Sequence, residues 1–123
     1  MELRDKRYFF DTYAFFEIME GNQHYADFQN ATGATTIFNL AELNYALKRE
    51  KGKHVADDVT KKYAPFLTEV TLQDILAAMD ERIKNKKLSI PDAIGYVVAQ
   101  RLGIPFLTGG KEFKNMANVI FVQ

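Results

Sequence analysis

The chain has 123 residues, is 47% hydrophobic, and balances 16 basic against 16 acidic side chains for a formal net charge of zero. That length suits one domain (1–123) with a real core, and the charge balance excludes a chain-wide electrostatic attraction to nucleic acid while leaving room for a local basic patch. The absence of cysteine excludes disulfides, thiolate metal sites and a cysteine nucleophile. No segment approaches the roughly 20 apolar residues that cross a bilayer. The charged start through Arg7 does not resemble a signal peptide, so a soluble cytoplasmic protein with no membrane association is expected.

In chain order, Tyr8-Phe9-Phe10 reads as a short buried strand that ends at Asp11-Thr12, where a helix enters and continues through Met19. Gly21-Asn22 breaks that helix, Gln23–Asn30 reads as a further short helix, and Thr32-Gly33 as a turn. Thr35-Thr36-Ile37-Phe38, β-branched and aromatic, predicts a second strand. Asn39 then reads as the N-cap of a long helix to Lys51, with Leu40, Leu43 and Leu47 inward and Gly52 as its stop. Val55–Tyr63 predicts a helix before Pro65, and the alternation in Phe66–Val70 a third strand. Thr71 caps a helix whose Leu72, Ile75, Leu76, Met79 and Ile83 form a stripe expected to face the core. A basic loop, Lys84–Lys87, leads to an apolar helix over Ile90–Leu102 ended by Gly103. Strands follow at Ile104–Thr108 and Val119–Val122. Strands alternating with helices predict a three-layer α/β/α sandwich around a mostly parallel five-stranded sheet.

In that architecture several acids share a placement. Asp11 follows the first strand, Glu42 and Asp92 lie in first helical turns, and Thr108 and Glu112 follow the fourth strand. Open α/β sheets bind ligands outside the carboxyl ends of their strands, so these positions converge on one edge. Clustered carboxylates repel unless a cation neutralises them, and hard oxygen ligands suit Mg²⁺ or Mn²⁺, ions that promote attack on a phosphodiester. A structural explanation competes. Asn39-x-x-Glu42, Ser89-x-x-Asp92 and Thr71-x-x-Asp74 all have the form of a capping box. Asp11, abruptly ending an aromatic strand, has the weakest such excuse.

Asp11-Thr12, Leu40-Ala41-Glu42-Leu43, Ser89-Ile90-Pro91-Asp92-Ala93 and Leu107-Thr108-Gly109-Gly110-Lys111-Glu112-Phe113 together resemble, in that order, the motifs of a PIN domain and more narrowly of a VapC-type toxin ribonuclease. The resemblance spans nearly the whole chain. It implies a Mg²⁺- or Mn²⁺-dependent endoribonuclease with Asp11, Glu42 and Asp92 as metal ligands, Thr12 and Thr108 lining the site, an antitoxin across the cleft, and a homodimer. The chain departs from the family's pattern at two places. Gly110 stands where a fourth acid usually follows Thr-Gly, leaving Glu112 as a substitute ligand, and Tyr13 replaces a small polar residue.

Lys111, beside the site, is the cation expected to meet a substrate phosphate, whereas Lys84, Lys86 and Lys87 are expected to run away from the catalytic edge. Lys48, Arg49, Lys51 and Lys53 could grip phosphates but are read first as a solvated helix end, where cations are favoured. Tyr13, Phe15 and Phe16 are read either as base-stacking residues or as core and interface. Alternatives to the toxin reading are an RNA-processing nuclease or a non-catalytic PIN-like module that binds RNA or protein. A phosphoreceiver domain is disfavoured because the predicted third strand ends Glu69-Val70-Thr71 without an acceptor aspartate.

Overall fold

The computed structural model describes residues 6–123, so most of the charged segment weighed against a signal peptide, Met1–Asp5, lies outside the described residues. Four strands, β1 (Arg7–Phe10), β2 (Thr32–Ala34), β3 (Phe106–Thr108) and β4 (Val119–Phe121), form a sheet of order β2-β1-β3-β4. Every neighbouring pair is parallel. The helices are α1 (Thr12–Met19), α2 (Ile37–Lys51), α3 (Lys53–Lys62), α4 (Leu72–Lys84) and α5 (Ile90–Leu102).

Alternation along the strands separates two cores. Tyr8, Phe10 and Leu107 join Phe15, Leu40, Leu43 and Leu47 on one face. Phe9 and Phe106 join Ile94, Val98, Ala99 and Phe113 on the other. On this second face the Phe9 and Phe106 rings stack with centroids 5.4 Å apart, tying the two central strands through side chains as well as backbone. The expected three layers are thus present, with α1–α3 and α4–α5 on opposite faces.

The sheet has four strands and not the expected five. Phe66–Val70 contributes only an isolated bridge, Leu67 to Thr35, flanked by Thr35 N–H to Phe66 O at 2.9 Å and Thr68 N–H to Thr35 O at 2.8 Å. Pairing stops there because Ala64–Phe66, with Pro65, coils as a 3-10 turn on one side and α2 starts directly after Thr36 on the other. The second strand likewise falls at Thr32–Ala34, which the sequence reads as a turn, while Ile37 and Phe38 are already helical. The N-cap is therefore Thr36 and not Asn39. Its hydroxyl accepts from Asn39 N–H at 3.2 Å and donates to Asn39 Oδ1 at 2.6 Å. A local cap hydrogen bond outweighs the β propensity of the apolar pair behind it.

The stripe on α4 turns only in part toward the core: Ile75 and Met79 pack against the second face as expected, and the other three do not. Leu72 and Ile83 are 71% and 74% exposed and Leu76 is exposed too, while the buried positions are Asp74 and Ala78. Helix orientation here follows a polar lock. Asp74, a cap acid in a complete capping box with Thr71, accepts from Arg101 Nε on α5 at 2.9 Å. Burial alone would raise its pKa, but the hydrogen bonds from Arg101 and Thr71 outweigh that and hold it below the usual carboxylate range.

α5 sits close to the sheet through Gly95, where an added Cβ would lie 2.8 Å from Phe9 Cε1 and 3.0 Å from Asn39 Oδ1. Gly95→Ala tests which effect wins. Helix propensity favours alanine by about 1 kcal/mol, whereas overpacking against a buried ring costs about 1–3 kcal/mol. The expected outcome is a net loss of stability, measured by denaturant unfolding; a stabilised variant would refute the close-packing account.

Candidate active site

The centre of the sheet determines where the site lies. From β1 the chain crosses to β2 on one side and later returns to β3 on the other, so the β1–β3 edge is a topological switch point. Register pairs Phe10 with Leu107, which places the next residues, Asp11 and Thr108, side by side beyond the strand ends. Thr108 Oγ1 donates to Asp11 Oδ2 at 2.6 Å, and both residues are buried. Asp11 also caps α1, its Oδ1 accepting from Ala14 N–H at 2.9 Å. Its structural excuse is therefore better than sequence suggests, yet the cap does not neutralise it. Burial, reinforced by Asp92 and Glu42 and only partly offset by the two hydrogen bonds, pushes its pKa to about 8.

Glu42 lies in the second turn of α2, not the first, so it forms no capping box with Asn39. It is held from both sides instead. Thr12 Oγ1 donates to its Oε1 at 2.6 Å and Ser89 Oγ to its Oε2 at 3.2 Å. Asp92 does belong to a complete capping box, its Oδ2 accepting from Ser89 N–H at 2.9 Å. Burial and the nearby Glu42 and Glu112 raise its pKa to about 6 despite the Ser89 hydrogen bonds. Asn39, read as a cap, is instead a buried tie between helices, donating through Nδ2 to Pro91 O at 3.3 Å. Ser89 and Asn39 are the site residues that sequence reasoning misplaced or missed; their only signal is a polar residue at a helix start.

Glu112 answers the departure at Gly110. A Cβ built on Gly110 would lie 2.5 Å from Glu112 Oε1 and 3.0 Å from its Cδ. The carboxylate of Glu112 thus fills the space that a side chain at 110 would enter. Gly110 itself has an ordinary negative φ of −70°, so its backbone conformation does not call for glycine.

These groups line one cleft of about 460 Å³ with six carboxylates, from Asp11, Glu17, Glu42, Glu50, Asp92 and Glu112, and, among the described residues, no lysine or arginine. A larger hollow of about 610 Å³, between Ile18, Met19, Val59, Lys62, Tyr63 and Phe66, contains no carboxylate, so the chemistry selects the smaller one. The donor set fits a hard divalent cation, being all oxygen, concentrated and without an internal counter-charge. Among the described residues no three acids already stand at mutual metal-ligating distance. Both oxygens of Asp11 and of Glu42 and Oδ2 of Asp92 accept from hydroxyl or amide donors, although each retains a second lone pair.

The basic residues divide. Lys111 is exposed in the 3-10 turn after β3, beside Glu112. None of Lys84, Lys86 and Lys87 lines the cleft, although Asn85 between them donates through Nδ2 to Glu112 O at 3.4 Å. Lys48 and Lys53 pair with Asp57, Lys51 with Glu20, and the Arg49 guanidinium lies over the Tyr45 ring. His24 and His54 are exposed.

Two predictions follow from the buried acids. A carboxyl whose pKa is raised in the fold keeps a proton that the unfolded chain has lost. The unfolded state therefore binds fewer protons, and stability falls as pH rises from the ordinary 3.8 towards about 8. The metal-free melting temperature is expected to fall across that window, and to fall distinctly less in Asp11→Asn; equal slopes would refute the assignment. Thr108→Val, which removes the donor to Asp11, should weaken Mn²⁺ binding by about 10–100-fold in calorimetry.

Three comparisons place this arrangement among known proteins. The chain shares its fold with VapC20 of Mycobacterium tuberculosis, a sarcin–ricin loop cleaving toxin, at TM-score 0.76 and 17% identity, covering 94% of this chain and 99% of that one. It is similar to DNA-bound VapBC from Salmonella typhimurium, at TM-score 0.71 and 16% identity over 94% of this chain and 96% of that one. A toxin–antitoxin complex from Klebsiella pneumoniae matches at TM-score 0.70 and 18% identity over 91% of this chain and 94% of that one. A comparison of the sequence with curated proteins finds no match. Residues 8–119 match the PIN domain family, nearly the whole chain and every carboxylate of the cleft, and the protein belongs to that family.

Proposed function

We propose that the protein is an endoribonuclease that cleaves RNA phosphodiester bonds with Mg²⁺ or Mn²⁺, and the toxin of a toxin–antitoxin pair. One observation carries the reading: Asp11, Glu42, Asp92 and Glu112, from four distant segments, line a single cleft without a lysine or arginine among its described residues, in a PIN domain. A bound divalent ion would supply an activated water and neutralise charge on the phosphate under attack. Asp11, Glu42 and Asp92 would hold it, with Glu112 in place of the acid missing at 110. Thr108 and Thr12 fix Asp11 and Glu42 through their hydroxyl donors. Lys111 on the rim would meet a substrate phosphate. Asp11 and Asp92 keep protons longer than ordinary carboxyls, so ion binding, which needs them ionised, should strengthen as pH rises.

The partner reading rests on exposed apolar surface. Ile37, Phe38 and Tyr45 are exposed on α2, the helix whose Glu42, Ala46 and Glu50 line the cleft, which suits an antitoxin lying across it. The fold-sharing VapBC proteins support the same partner class. The uncovered Leu72–Leu76–Ile83 stripe suits a homodimer contact. Among the described residues no helix is long and apolar enough to cross a membrane, and a cytoplasmic site of action accords with that.

The deciding experiment is cleavage of an RNA pool with and without Mn²⁺. Asp11→Asn should lower the rate on the order of a hundredfold or more, the loss typical of one preorganised electrostatic group. Metal-dependent cleavage that survives this change would sink the assignment. A non-catalytic binding module, favoured by Gly110, predicts no metal-dependent cleavage at all. The role of Glu112 is checked separately by Mn²⁺ calorimetry. Glu112→Ala should weaken binding about tenfold or more, and adding Gly110→Asp to that variant should restore it; no loss in the first variant refutes the substitution.

A further inference from the structure

Tyr13 is the residue of the cleft that metal chemistry does not absorb. It follows Asp11-Thr12 on α1 and lines the same cleft as the carboxylates, with Phe16 one turn further on. Its ring rests on Gly109, where an added Cβ would lie 2.3 Å from Tyr13 Cε1 and 2.4 Å from Val122 O. Gly109 is not among the positive-φ glycines, so its missing side chain serves space and not backbone angle. Ring and glycine are therefore matched, and the aromatic is held on backbone at the edge of the site.

The neighbouring ring shows that this is not simple core packing. Phe15 is 0% exposed, whereas Tyr13 is only partly covered and open to the cleft. An ordinary phenol is protonated at neutral pH, so the hydroxyl offers no base. What remains is a pre-positioned aromatic surface next to carboxylates suited to an ion that grips phosphate. Single-stranded nucleic acid is recognised in this way, by stacking unpaired bases on aromatic side chains.

We propose that Tyr13, seated on Gly109, is a stacking platform for the nucleobase flanking the phosphate at the metal site, and so a substrate-binding residue. The proposal rests on the ribonuclease reading above. An RNA base is favoured over a protein side chain because the ring shares a cleft with Asp11 and Glu42, the carboxylates suited to an ion that grips phosphate.

The test uses the full chain, Mn²⁺, and labelled single-stranded oligoribonucleotides, each carrying one abasic nucleotide in turn. Tyr13→Ala should raise KM about tenfold, the loss expected for one stacked base, with kcat within about twofold. Tyr13→Phe, which keeps the ring, should behave as wild type, and melting temperatures establish that both variants fold. One abasic position should cost wild type as much as Tyr13→Ala costs intact RNA, and the two losses should not add. Additive losses at every position, or an unchanged KM, would overturn the proposal. So would a Tyr13→Ala variant that loses affinity only for a protein partner. If wild type neither binds nor cleaves RNA, the ribonuclease reading fails first; if it does both and Tyr13→Ala does not differ, only the stacking role fails.

Discussion

The site depends on the pairing of β1 with β3. Parallel register between Phe10 and Leu107 sets Asp11 and Thr108 together just beyond the sheet, and the Thr108 hydroxyl holds Asp11 at 2.6 Å. Phe9 stacked on Phe106 makes slippage of that register costly, because a one-residue shift would exchange the two core faces. Every other acid of the cleft is positioned relative to this pair. Asp92 comes on a helix packed tightly over Phe9 through Gly95, and Glu42 is tied to Thr12, the residue following Asp11.

Two capping boxes in one chain show how context turns the same local motif to different ends. Thr71–Asp74 and Ser89–Asp92 share their geometry, each acid bonding back to the backbone of its cap residue. Asp74 faces Arg101, and its pKa is lowered despite burial. Asp92 faces Glu42 and Glu112, and its pKa is raised to about 6. The first acid locks α4 to α5 and is electrostatically satisfied. The second is left in want of a cation, and that difference separates a structural carboxylate from one available for chemistry.

The places where sequence reasoning failed have a common cause. Periodicity predicted α4 and the inward Ile75 and Met79 correctly but not the exposure of Leu72, Leu76 and Ile83, because the Asp74–Arg101 pair and the small Ala78 decide which face approaches α5. Thr36, Ile37 and Phe38 look like strand by propensity, yet a threonine cap converts the last two into helix. Phe66–Val70 alternates as a strand should, but its neighbours on both sides leave the sheet and it keeps only one bridge. In each case a specific hydrogen bond or packing contact overrides the propensity or periodicity of the segment, and a pattern of residue types does not weigh it.

The sequence alone determined the α/β rhythm, the Ser89 cap and Gly103 stop of α5, and the acids at strand ends and helix starts. Capping, glycine and alternation act over a few neighbouring residues and are therefore written locally. Only the tertiary structure decided which acids remain without a cation, that Glu112 occupies the space left by Gly110, and that Gly109 makes room for Tyr13. Those outcomes depend on exclusion of water and on the volume available between segments, quantities that exist only once the chain is packed.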